Sequence, residues 1–306
     1  MYSKFFAFLL ILVLTVAGQP AAAEETLKPF VLAYTAQGDM QAAVAEVKSK
    51  LQKGGFTIAG QYSPYPSATI IAVTSDALKS GVAQSDFGGY GAAQRVTVTE
   101  VNGSLQVAYT NPRYMAAAYR LADGLSGPAK RLQAALGRDK DYGPEDGMTG
   151  PDLRGYHYMF GMEYFDEPSV LNEADSYEAA VAAVEKGLAS KTSGVSKVYR
   201  IDIPGKKETV FGVAMNGKGT DGGKMQDDAY IMSQIDFKDT RSTGHLPYEI
   251  LVSGNKAYAL YARFRIAINF PDLSMMGSNS FMSIMECPTN IERALTLAAG
   301  GKLDSQ

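Results

Sequence analysis

Two stretches of this chain return later in nearly the same words, and that repetition constrains the fold more than any other feature. Asp39-Met-Gln-Ala-Ala-Val-Ala-Glu-Val-Lys-Ser-Lys-Leu51 comes back as Ser176-Tyr-Glu-Ala-Ala-Val-Ala-Ala-Val-Glu-Lys-Gly-Leu188, each time a capping residue opening an apolar-periodic helix. Val101-Asn-Gly-Ser-Leu-Gln-Val-Ala-Tyr109 comes back as Val252-Ser-Gly-Asn-Lys-Ala-Tyr-Ala-Leu260, two strands around a Gly turn. Thr110-Asn-Pro-Arg-Tyr-Met115 has a looser echo in Asn269-Phe-Pro-Asp-Leu-Ser-Met275. The offset is about 137 residues at the helices and about 151 at the hairpins, too long for a solenoid repeat and suited to two domain-sized copies.

Residues 1–23 read as a secretory leader rather than as part of a domain. Lys4 is the only charge before Glu24, Phe5 to Ala17 is an apolar run too short to span a bilayer comfortably, and Ala21-Ala22-Ala23 offers small residues for cleavage. The reading is an exported protein, periplasmic in a Gram-negative cell, with no transmembrane segment in the mature chain. The roughly 280 residues that remain are enough for two ordinary cores. A net charge of −3 argues against nucleic acid as a partner, which would require a basic patch. The single cysteine, Cys287, permits no internal disulfide, so stability must come from packing.

In the first copy, spanning 24–136, the pattern predicts a strand at Pro29–Ala36, a helix from Asp39 to about Lys53, and strands at Phe56–Tyr62 and Ala68–Thr74. A short helix at Asp76–Ala83, a hairpin at Arg95–Val101 and Leu105–Thr110, and helices near Arg113–Ala122 and Pro128–Leu136 follow. Residues 137–155, acidic and rich in Gly and Pro, read as a linker. The second copy, 156–306, is expected to repeat the order. It has strands at Tyr156–Phe165, Val195–Ile203, Glu208–Met215 and Tyr248–Val252, and a long last strand from Lys256 to Ile268. A helix runs to about Ala189, a polar insert covers Asn216–Asp227, a strand or helix covers Ala229–Phe237, and a final helix lies near Ile291–Ala299. The fold class is α+β: two tandem β-α-β4-α units, each an antiparallel sheet with helices on one face.

The Asp39–Phe56 helix-Gly-Gly-Phe unit, the hairpin ending in Tyr109-Thr110-Asn111-Pro112, and Leu246-Pro247 before the second hairpin carry a family resemblance. The chain resembles the bacterial family catalogued as domain of unknown function 302, which implies a TATA-binding-protein-like arrangement and no settled activity. The second copy departs from the pattern, having Ala262-Arg263 where Asn-Pro should follow the last strand.

Chemistry is harder to read. Met275, Met276, Met282, Met285 and Cys287 are soft ligands suited to Cu(I), although the same spacing suits a packed stripe if Leu273–Glu286 is one helix. His157 and His245 are the only histidines; a strand would put His157 and Met159 on one face, a pair able to ligate non-covalent haem iron. Gly217-Lys-Gly-Thr-Asp-Gly222 has dinucleotide-fingerprint spacing, but the polar stretch after it favours a loop. The acidic linker lacks an EF-hand pattern. No Gly-x-Ser-x-Gly or His-Glu-x-x-His occurs, so an enzyme is the third reading. The first is a non-catalytic binder of a small molecule, using His245, Tyr258, Tyr261, Tyr109 and Asn111. The second is a periplasmic Cu(I)- or haem-binding protein using His157, His245, the four methionines and Cys287. The insert and its neighbours point to the second copy as the carrier of the site.

Overall fold

A computed structural model of the chain describes residues 24–159 and 161–303. The leader expected over 1–23 lies outside these residues. The first half runs β1 (Thr26–Leu27), β2 (Phe30–Ala36), α1 (Met40–Lys53), β3 (Thr57–Tyr62), β4 (Ala68–Thr74), α2 (Asp76–Val82), β5 (Gln94–Val101), β6 (Ser104–Thr110), α3 (Pro112–Ala118) and α4 (Ser126–Leu136). A connecting stretch holds β7 (Lys140–Tyr142), β8 (Met148–Thr149) and α5 (Gly150–Arg154). The second half runs β9 (Ser169–Glu173), α6 (Tyr177–Ala189), β10 (Val195–Asp202), β11 (Glu208–Met215), α7 (Asp228–Ile235), β12 (Tyr248–Ser253), β13 (Lys256–Ala259), α8 (Ala262–Asn269) and α9 (Cys287–Ala298). The fold is α+β with antiparallel sheets.

Local signals explain most of these elements. Asp39 and Ser176 cap α1 and α6 through their side chains, and Val44, Val47 and Leu51, or Val181, Val184 and Leu188, form the buried stripes. Asn102 and Gly103 both take positive φ, as the two-residue turn between β5 and β6 requires.

One sheet has the order β3-β4-β5-β6-β2-β7 and the other β10-β11-β12-β13-β9. In both, the strand before the first helix lies beside the last strand of the hairpin, β2 beside β6 and β9 beside β13. Both carry a one-residue bulge at that joint, where Ala33 and Leu171 are the extra residues. Both carry another in the strand after the first helix, at Ala59 and Val198. Each sheet has helices on one face. On β11 and β12, Phe211, Ile250 and Val252 belong to the core under α6 and α9, whereas Val210 and Leu251 are packed into the core of the first half. The halves therefore meet through the sheet faces that bear no helices. At the edge of this contact a Cβ on Gly60 would lie 2.1 Å from the Val198 carbonyl oxygen, so only glycine admits the approach.

Three expectations are corrected. Among the described residues, 156–159 and 161–165 form no strand, although a β-strand is expected from the sequence at 156–165. The place beside β13 belongs to Ser169–Glu173, while Tyr156 packs on Phe264 and His157 on Tyr164. The last strand stops at Ala259 rather than Ile268, because Ala262, Ile266 and Phe264, Ile268 recur at helical spacing and build α8. The acidic connection is not bare: β7 pairs with β2, β8 pairs with β1, and Thr149 caps α5.

Candidate functional site

The second-half connection between β11 and β12 is the least regular part of the sheet layer, and it builds a groove. Asn216–Asp227 folds back on itself. A Cβ on Gly217 would sit 1.9 Å from the Gly223 carbonyl oxygen, so the fingerprint-like glycines serve a closed loop. Asp227 locks that loop to α7: one carboxylate oxygen accepts from Gly217 N at 3.0 Å and the other caps the helix by accepting from Tyr230 N at 3.0 Å. At the far end of α7, Asp236 accepts from Ser242 N at 2.8 Å and turns the chain into a short 3₁₀ turn at Thr243–His245.

Three clefts follow one another along α7. The first, about 320 Å³, lies between Tyr62, Ser63 and Pro64 of the first half and Asp228 and Ala229. The second, also about 320 Å³, shares Ala229 and extends over Tyr65, Thr99, Ser233 and Asp236. The third, about 220 Å³, shares Asp236 and lies against Tyr142, Phe237, Asn269 and Phe270. The groove thus runs between the halves with a buried carboxyl near each end of the helix.

Those carboxyls are unusual. Asp228 accepts from Met215 N at 2.9 Å and from the Tyr62 hydroxyl at 3.4 Å, yet its other oxygen is buried without a partner. Burial pushes its carboxyl up to about 8. Asp236 likewise keeps one buried oxygen without a partner at hydrogen-bond geometry, and burial raises it to about 7 against the opposing pull of Ser242 N, Arg241 and the nearby Thr243 hydroxyl. Asn269, at the end of α8, donates to the Arg265 carbonyl at 2.8 Å and leaves its own amide oxygen unpartnered. Buried acceptors without donors are costly.

A second polar cluster lies at the contact of the two halves. Glu249 pairs with Arg95 and, at 2.6 Å, with Arg265, and accepts from the Tyr199 hydroxyl at 3.2 Å. Arg265 also donates to the His245 carbonyl at 2.6 Å and to the Pro247 carbonyl at 3.0 Å, and its guanidinium lies 4.7 Å from the Tyr248 ring.

The residues expected from the sequence to bind a ligand are scattered. His245 is buried, with Nε2 3.2 Å from the Tyr248 hydroxyl and its ring edge-on to Phe270. Burial, then Arg265 and Arg95, holds its pKa well below the usual histidine value, so the ring is neutral. Tyr109 donates to the Gly137 carbonyl at 3.1 Å, and Asn111 caps α3 and donates to the Lys28 carbonyl. Tyr258 packs edge-on against Phe87, and Tyr261 precedes α8. None of these five lines the groove along α7.

Among the residues expected to hold metal, Met275, Met276, Met282 and Met285 are exposed, on an irregular stretch with a 3₁₀ turn at Phe281–Ile284 rather than one helix. Met275 sulfur accepts from the Tyr158 hydroxyl. Cys287 is buried with its thiol 3.8 Å from the Met225 sulfur, and burial pushes that thiol up to about 12. His157 Nδ1 lies 2.9 Å from the carbonyl of Met159. Among the described residues no three His, Cys, Asp or Glu side chains converge at metal-binding range. Sequence reasoning missed Asp228, Asp236 and Asn269. The one signal available was position, since Asp228 directly follows the polar insert and Asn269 lies in the segment after the second hairpin, whereas Asp236 had none.

No family model and no curated protein matches this chain. Among solved structures it is similar to the crystal structure of an uncharacterized conserved protein DUF302 from Bacillus stearothermophilus, at 19% identity and a TM-score of 0.31. The match covers 35% of this chain and 97% of that one. The family described there is the one the helix-Gly-Gly-Phe unit and the Asn111-Pro112 exit resemble. Among the described residues no helix is long and apolar enough to cross a membrane.

Proposed function

We propose that the protein is an exported, non-catalytic binder of a small molecule, built from two tandem β-α-β4-α units of TATA-binding-protein-like form over 24–136 and 156–306 and joined by 137–155. Matching strand orders and the two pairs of bulges at matching joints support the duplication. The binding seat is the groove along α7, so the second unit carries the site through the insert that distinguishes it. One observation carries this reading: the clefts that follow one another along α7 are lined by two carboxyls and an amide that each keep a buried oxygen without a hydrogen-bond partner. A ligand that supplies donors would relieve that cost.

Native mass spectrometry of the protein purified from its export compartment tests the reading. A retained small molecule should be lost in Ser233→Trp, an exposed groove position where an indole fills the middle cleft, with thermal stability unchanged. Retention unaffected by that substitution would remove the groove's claim. A second reading, Cu(I) binding, has one specific support in the adjacent sulfurs of Cys287 and Met225. Stoichiometric copper lost in Cys287→Ser would favour it over the first.

A further inference from the structure

The third cleft has a chemistry of its own, and the inference drawn from it rests on the groove being a binding site. Two unpartnered buried acceptors, one oxygen of Asp236 and the amide oxygen of Asn269, belong to residues that line the same cleft. The amide orientation is fixed, because the Asn269 nitrogen is committed to the Arg265 carbonyl. Tyr142, Phe237 and Phe270 supply three aromatic rings to the same wall. At the mouth Lys238 and Asp272, each lining the cleft, form an ion pair that joins its two sides. The Tyr142 hydroxyl is spent on the Arg241 carbonyl at 2.7 Å and the Arg241 side chain on the Asp236 carbonyl, so neither fills the gap.

We infer that this cleft binds the ammonium head group of a small primary amine, with Asp236 and Asn269 accepting two of its N–H groups and the aromatic rings facing its charge and hydrocarbon stem. A primary ammonium has three donors and no acceptor, which matches the two orphan acceptors of Asp236 and Asn269, while the Lys238 ammonium of the same lining is held by Asp272. Its positive charge compensates a buried carboxylate, which a neutral hydroxyl cannot do, and it gains from aromatic faces. At about 220 Å³ the space is smaller than the roughly 300–1,000 Å³ of drug-sized pockets. It suits a head group or a small amine. Burial raises the pKa of Asp236 to about 7 although Arg241 lies near, so a further positive charge in the cleft would favour its ionised form.

The test is calorimetric titration of the full chain with 2-phenylethylamine and its neutral counterpart 2-phenylethanol. The amine should bind at least about tenfold more tightly than the alcohol, the scale of a hydrogen bond to a charged group. Asp236→Asn should lose at least about tenfold in amine affinity while folding normally, since the amide still accepts from Ser242 N. Phe237→Ala, at a half-exposed position where truncation leaves the core intact, should weaken the amine several-fold and the alcohol less. Equal binding of amine and alcohol, or an unchanged affinity in Asp236→Asn, overturns the inference. If the amine fails to bind while Ser233→Trp still empties the groove of its native ligand, only the amine assignment falls. If both fail, the groove reading falls with it.

Discussion

Arg95 and Glu249 are each the second residue of their strand, β5 and β12, and they form a buried ion pair across the contact between the two halves. Glu249 holds Arg265 as well, so one carboxylate serves two buried guanidiniums. Glu249→Ala should therefore cost about 3–5 kcal/mol of unfolding free energy, because both cations lose their counter-charge. Denaturant unfolding measures it, and a loss under 1 kcal/mol would mean the pair contributes nothing to joining the halves.

Gly60 predicts a backbone effect. Its missing Cβ would sit 2.1 Å from the Val198 carbonyl oxygen, and a backbone atom cannot swing aside as a flexible side chain would. Gly60→Ala should destabilise by about 1–3 kcal/mol. Gly124, where an added Cβ would meet only the Ser126 hydroxyl at 4.0 Å, is the control: Gly124→Ala should change stability by no more than about 0.5 kcal/mol. Thermal melts of the two variants separate the effects.

The two buried acids predict a pH dependence. Asp228 at about 8 and Asp236 at about 7 stand above an ordinary value of 3.8, so the folded chain holds protons that the unfolded chain has released. Their contribution to stability is greatest below about pH 4 and is lost as pH rises towards 7 and 8. The double variant Asp228→Asn, Asp236→Asn should gain on the wild type as pH goes from 5 to 8, by up to a few kcal/mol on the order expected for such shifts. An advantage that stays constant with pH would contradict this.

Amine binding carries its own pH signature. The charged groups around Asp236 are Arg241 and Lys238, with Glu100 lining the neighbouring cleft and Asp272 pairing Lys238, and the tyrosines Tyr65 and Tyr142 also lie close to it. With Asp236 near 7, binding an ammonium below that pH requires the carboxyl to release its proton. The Kd for 2-phenylethylamine should fall as pH rises from 6 to 8, and Asp236→Asn should flatten the profile. A wild-type profile already flat over that range would count against Asp236 as the counter-ion.

The sulfur residues divide by exposure. Met276, at 77% exposed, should be the first methionine oxidised by dilute peroxide, with Met282 and Met285 following, and the fold should survive. Cys287 should not react with a thiol reagent until the chain unfolds, since it is buried and burial raises its pKa to about 12. Peptide mass spectrometry after timed exposure checks both.

Much of the first half was legible in the sequence because its elements carry complete local signals. Asp39 and Gly54-Gly55 bracket α1, and Asn102-Gly103 fixes the hairpin. The start of the second half misled because Tyr156-His-Tyr158 has the composition of a strand, and only the available partner decides whether a ladder forms. Ser169–Glu173, less conspicuous, takes that partner. The end of β13 was overrun because Tyr261, Arg263 and Arg265 alternate with apolar residues over a stretch too short to tell period 2 from period 3.6. The site was illegible for another reason. Asp228, Asp236 and Asn269 matter through being buried without donors, and nothing in an aspartate's neighbours along the chain reports that. Histidines and tyrosines drew the expectation instead, and the fold spends them on internal bonds such as His245 to Tyr248 and Tyr109 to Gly137.

Strand β7 does more than lead from one half to the other. It lies along the outer side of β2, with Phe30 opposite Tyr142 and their rings stacked 5.5 Å apart. Without it, Phe30, Val31 and Leu32, the three residues it pairs, would be an open apolar edge with free backbone groups, a template for strand addition by another molecule. A first half cut at residue 136 would present that edge, whereas one cut after residue 143 would keep it covered. The stretch that joins the halves thus also guards the first of them against strand addition, and it does so with residues, Tyr142 and Leu153, that belong to its buried clusters.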